Sequence, residues 1–220
     1  MRSVVGLATL VFASASAPQV AAHDGVLHST PEEAARHVAE TAGPPPAPQG
    51  VPLPFDLGGA FILTDQNGAP RDERDPEGAF QLLFFGYANC QSICSVALPL
   101  MADVTDGLAA MGIEATPVMV TVDPARDTVE AMGPALVAHH PAFVGLTGTE
   151  AELAPVYDLF GVQKTVVFED PELGPIYAHG SHIYLLDGAG TVLTLLPPIL
   201  SAARLTEIAA AYAPPAPGTD

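Results

Sequence analysis

Cys90-Gln91-Ser92-Ile93-Cys94 holds the only two cysteines among 220 residues. Residues four apart share one face of a helix, so this spacing lets two sulfurs converge on one ion or close into a disulfide. The pair follows a short apolar run and stands at the predicted N-terminus of the next helix. A helix N-terminus favours anions and helps a thiol become the thiolate that binds metal or attacks a disulfide. A purely structural disulfide is the alternative. Its ring is small, and the chain-entropy gain falls from about 3 kcal/mol for a 15-residue loop to about 2 kcal/mol here. A functional pair is the better reading, and the spacing alone does not choose between metal and redox work.

The seven histidines fall into three groups. His23, His28 and His37 lie on a polar leader and read as solvated residues. His139-His140 ends a predicted helix before Pro141, where a cationic side chain favours the C-terminal dipole. His179 and His182 are three apart, and on a strand they would face opposite sides, so only one of them can meet the sulfurs. Met101, Met111, Met119 and Met132 sit at helix or strand positions and read as core filling. Asp123-Pro124-Ala125-Arg126-Asp127-Thr128 reads as a turn into a helix with Asp127 or Thr128 as N-cap, near the cysteine loop at the carboxyl end of a strand.

The elements that must position these residues follow from hydrophobic patterning. Phe61 to Thr64 reads as a strand running into an Asn67-Gly68 hairpin turn. The continuous apolar runs Gln81 to Tyr87 and Thr116 to Val122 suit strands buried on both faces. Leu98, Met101, Val104, Leu108 and Met111 mark a helix between them, completing a right-handed βαβ unit. Pro99 inside that helix removes a hydrogen bond and predicts a kink or a short first turn. Further helices are predicted over 128–139 and 149–159, and a last one carries Leu205, Ile208, Ala209 and Tyr212. Strands are predicted over 163–168, 181–186 and 191–196.

The N-terminus reads as an export signal over residues 1–22. Arg2 precedes an apolar run from Val4 to Ala13, which is too short to span a bilayer, and Val20-Ala21-Ala22 fits a small-residue cleavage site. Cleavage leaves a soluble protein, and an uncleaved segment would tether the chain to the membrane. Export, to the periplasm as we read it, allows a disulfide to form. A Pro-rich linker over 23–54 leads to a globular domain over 55–212 and a tail over 213–220. The chain has 7 Lys+Arg against 25 Asp+Glu, a formal charge of −18. Nucleic-acid binding needs basic side chains against phosphates, so this balance argues strongly against it.

Phe84-Phe85-Gly86-Tyr87 leading into Cys-x-x-x-Cys, Val120 to Thr128, and Gly145-Leu146-Thr147-Gly148-Thr149 together resemble the Sco/SenC family of copper-binding proteins. The resemblance implies a thioredoxin-like α/β fold, with a central mixed sheet flanked by helices and added hairpins. The family carries a histidine on a late strand five positions before a Tyr-Leu run. Here Tyr184-Leu185 selects His179, with His182 as runner-up. The implied site is Cys90, Cys94 and His179, holding copper as Cu(I) or Cu(II), because two thiolates and one imidazole suit either state. The implied function is a metallochaperone that serves the binuclear copper site of cytochrome c oxidase, with its subunit II or another copper protein as partner. The rival is a thiol–disulfide oxidoreductase that uses Cys90 and Cys94 to reduce a partner's copper-ligating cysteines. Gln91-Ser92 and Ser95 replace the family's usual Pro-Asp and Pro around the pair.

Overall fold

The structure, a computed structural model, describes residue 53 and residues 56–88, 90 and 93–213. The predicted signal, nearly all of the predicted linker with His23, His28 and His37, and the tail after Ala213 lie outside the described residues. So do Asn89, Gln91 and Ser92 beside the cysteines. Among the described residues, no helix is long and apolar enough to cross a membrane.

A seven-stranded mixed sheet forms the centre. In chain order its strands are β1 (Ile62–Asp65), β2 (Pro70–Asp72), β3 (Phe80–Gly86), β4 (Ala115–Thr121), β5 (Val144–Thr147), β8 (Ile183–Leu186) and β9 (Val192–Leu196). The spatial order is β2-β1-β5-β4-β3-β8-β9. β3, β4 and β5 are mutually parallel, while β1 and β8 flank them antiparallel. All seven residues of β3 are buried, as its unbroken apolar run requires of a strand covered on both faces. A separate two-stranded hairpin, β6 (Thr165–Asp170) and β7 (Gly174–Ala178), pairs only with itself.

Among the described residues, four helices cover the sheet. They are α1 (Cys94–Ala110), α2 (Val129–Val137), α3 (Glu150–Leu159) and α4 (Ala202–Ala210). α1 joins β3 to the parallel β4, as the βαβ reading anticipates, and packs against α4. The α1 helix runs 17 residues through Pro99 without interruption. Successive side chains on a strand face opposite ways. Phe85 accordingly packs against Tyr157, Phe160 and Tyr184, while Phe84 reaches the His179 ring on the other face.

Three strands escape the sequence reading for separate reasons. β2 is a three-residue edge strand made of Pro, Arg and Asp. β5 is four residues long and contains Gly145. β7 begins with Gly174-Pro175, which weakens any strand signal. Met101, Met119 and Met132 fill the core as expected, but Met111 at the end of α1 is 58% exposed.

The Tyr157 hydroxyl donates to the Thr121 carbonyl at 2.8 Å and ties α3 to the end of β4. Burial raises the pKa of this phenol, which keeps its donor proton in place. Tyr157→Phe preserves the ring and removes one buried hydrogen bond, so it should cost about 1–2 kcal/mol in urea unfolding. An unchanged midpoint would count against this tie.

Candidate metal centre

Cys90 and Cys94 arise at the carboxyl end of β3, where the chain leaves the sheet. Cys90 lies in the loop, with its N–H donating to the Tyr87 carbonyl at 3.1 Å. Cys94 is the first residue of α1, and the N-cap is Ile93. The sulfurs therefore do not share a helix face, contrary to the i,i+4 argument. A loop and a helix start bring them together instead. Both residues are buried, at 8% and 1% exposure, and both are thiols.

Gly86, the last residue of β3, makes room for this arrangement. A Cβ there would stand 3.1 Å from the Cys94 Sγ and 2.8 Å from the Phe84 ring. Glycine at 86 is thus a packing requirement of the site, which the family pattern contains but spacing arguments do not explain.

His179 follows β7 directly, in the coil that leads to β8. Neither His179 nor His182 is on a strand, so side-chain alternation does not separate them. What separates them is placement. The Nε2 of His179 lies 3.6 Å from the Cys94 Sγ, while His182 is exposed. One ligand atom each from Cys90, Cys94 and His179 lie within 4.8 Å of one another. With metal–sulfur and metal–nitrogen bonds of about 2.3 and 2.05 Å, a 3.6 Å separation subtends about 110° at a shared ion. The donor set thus fits a soft or borderline ion with an open coordination position.

The ring of His179 is oriented for this. Its Nδ1 is 3.0 Å from the Gly180 carbonyl, which can only accept, so Nδ1 carries the proton and Nε2 presents its lone pair to the sulfurs. Phe84 and Tyr87 meet the imidazole edge-on at centroid distances of 5.8 and 5.7 Å. A cleft of about 350 Å³ opens beside it, lined by Gly161, Gln163, Thr165, Ala178, His179 and Gly180.

Electrostatics differ from the sequence reading. The hydrogen bond with Cys90, together with burial, pushes the Cys94 thiol well above its ordinary value. The helix start does not overcome these two effects, so the surroundings favour the protonated thiol at Cys94. Burial and the neighbouring Cys90 likewise push the Tyr87 phenol up to about 12.

The Asp123–Thr128 turn supports the loop from below. The Asp127 carboxylate accepts from the Ala88 N–H at 3.1 Å and the Thr121 hydroxyl at 2.7 Å. Asp127 therefore braces the cysteine loop, and Thr128 is the N-cap of α2, without a side-chain capping bond. Asp123 is buried and pairs with Arg126. His140 is occupied elsewhere: it accepts from the Ala142 N–H and its Nε2 lies 3.3 Å from Asp106.

Residues 50–213 match the SCO1/SenC family model. An SCO2-like protein of Rickettsia conorii is 37% identical over 139 residues, 62% of this chain and 67% of the relative. Copper-bound yeast Sco1 aligns with a TM-score of 0.65 at 29% identity, over 73% of this chain and 92% of that one. Copper-bound ScoI of Arabidopsis thaliana aligns with a TM-score of 0.65 at 27% identity, over 69% and 94%. The mixed sheet and its helices are thus the thioredoxin-like fold of Sco structures.

Asp127 generates a pH prediction. Burial, the largest cause, raises its carboxyl above the ordinary 3.8. The native state then holds this proton to higher pH than the unfolded chain. The associated stability is fully present below 3.8 and drains as pH rises through the raised value. Asp127→Asn keeps an acceptor and cannot titrate, so its stability relative to wild type should increase from about pH 4 to 7. Parallel urea midpoints across that range would refute the assignment.

Proposed function

The chain belongs to the SCO1/SenC family, and we propose that it is a copper metallochaperone, exported to the periplasm, that supplies the binuclear copper site of cytochrome c oxidase. Cys90, Cys94 and His179 hold copper, as Cu(I) or Cu(II). The observation that carries the reading is the convergence of these three ligand atoms within 4.8 Å. The copper-bound yeast and Arabidopsis thaliana relatives support the choice of ion. The Arg2 and Val4–Ala13 pattern supports export, with membrane association through the N-terminus if the signal stays uncleaved. The partner is subunit II of the oxidase or another copper protein.

Copper is cargo here, and the chain's residues govern its entry and departure. Loading displaces the proton that burial and Cys90 keep on Cys94, so binding strengthens as pH rises. The sulfurs are buried, whereas His179 is half-buried beside an open cleft. A recipient's ligand therefore enters on the imidazole side, and His179 is the first donor to yield in stepwise exchange. The thiol–disulfide oxidoreductase reading uses the same pair. The His179 Nε2, 3.6 Å from the Cys94 sulfur, favours metal, because thiol exchange needs no third donor at that place.

Copper titration of the reduced protein tests the reading. We expect one copper per chain, at least one proton released per copper at pH 7, and loss of binding in Cys90→Ser and after oxidation to the disulfide. His179→Ala should lose Cu(II) before Cu(I). If His179→Ala retains copper binding and partner activation while Cys90→Ala ends activity, the oxidoreductase reading replaces this one. A stoichiometry unchanged after replacing both cysteines removes the metal site altogether.

A further inference from the structure

His179 reaches the sulfurs from a hairpin that the main sheet does not hold. β6 and β7 pair only with each other, so none of the ladder hydrogen bonds of the seven-stranded sheet fixes their position. Whatever holds the hairpin in place sets where the imidazole sits.

Among the described residues, two hydrogen bonds reach β7 from outside the hairpin: the Tyr177 N–H donates to the Tyr87 hydroxyl at 3.5 Å, and Arg126 makes a shorter one. Its Nη2 donates to the Pro175 carbonyl in β7 at 2.8 Å. Its Nε binds the carboxylate of Asp123, which is 2% exposed in the turn after β4. Its guanidinium lies 5.8 Å from the centre of the Tyr87 ring, which in turn meets the His179 ring edge-on. The hairpin is shaped to receive it: residue 174 is glycine, and a Cβ there would come within 2.8 Å of Nη1. One planar group thus joins the β4 turn, the cysteine-loop aromatic and the histidine hairpin. A guanidinium suits this task because its donors point in fixed, divergent directions.

The two charge states of copper depend unequally on that connection. Cu(I) is soft and is satisfied by two thiolates, whereas Cu(II) gains more from the imidazole nitrogen. We propose that Arg126 is a positioning residue that latches the β6–β7 hairpin and so sets how strongly the site holds Cu(II) relative to Cu(I). This rests on reading His179 as a copper ligand.

The test measures Cu(II) and Cu(I) affinities by competition, with the paramagnetic resonance and absorption spectra of the Cu(II) form, in wild type, Arg126→Ala, Arg126→Lys and His179→Ala. Loss of a group that orients a metal ligand typically costs about 10–100-fold in affinity. We expect Arg126→Ala to lose about that much for Cu(II), to stay within about threefold for Cu(I), and to shift its Cu(II) spectra toward those of His179→Ala. Arg126→Lys keeps a cation for Asp123, but one nitrogen cannot occupy both hydrogen-bonding positions. It should shift the same way, and it covers the case in which Arg126→Ala does not fold. Wild-type Cu(II) spectra in Arg126→Lys, or equal losses for both ions in the folded variants, overturn the proposal. If His179→Ala itself keeps the wild-type spectra, the ligand assignment fails with it. If His179→Ala changes them and the Arg126 variants do not, the latch alone fails.

Discussion

The approach of His179 Nε2 to the Cys94 sulfur, at 3.6 Å, is the contact on which the rest of the arrangement depends. It joins two parts of the chain that are 85 residues apart and have separate backbone hydrogen-bonding systems. On one side stand β3, its cysteine loop and α1, embedded in the core. On the other stands the β6–β7 hairpin, paired only with itself. Neither part can form a three-donor site alone. The fold's contribution is to hold a half-exposed ring against buried sulfurs without locking the two together by a ladder.

Support for that contact comes from groups that do not touch the shared ion position. Gly86 leaves space that any side chain would fill. The Gly180 carbonyl fixes the tautomer of the imidazole. Asp127 receives the N–H of Ala88 and the hydroxyl of Thr121, so the cysteine loop is tied to the end of β4. Burial works against charge throughout this region: the Cys94 thiol and the Asp127 carboxyl both keep their protons to higher pH than in water. A cation held between the sulfurs would reverse that preference by its own charge.

Much of this was legible in the sequence. The buried strands β3 and β4 announce themselves as unbroken apolar runs, and α1 through its periodicity. The cysteine spacing points to paired chemistry, but the helical face invoked for it is not what unites the sulfurs. His179 could be singled out from His182 only by family resemblance, because the strand alternation that was to separate them does not exist at these positions. The hairpin strand β7 was hidden by Gly174 and Pro175. Gly174 answers two local demands, a φ of +72° and the Arg126 guanidinium 2.8 Å from where a Cβ would stand. Such long-range packing leaves no periodic trace, so Arg126 read only as part of a turn.

The burial of the two sulfurs also bears on chemistry in open solution. At 8% and 1% exposure they present almost no target to dissolved peroxide or to bulky chelators. Thiol oxidation by small molecules is then limited by access to the sulfurs as well as by their intrinsic reactivity.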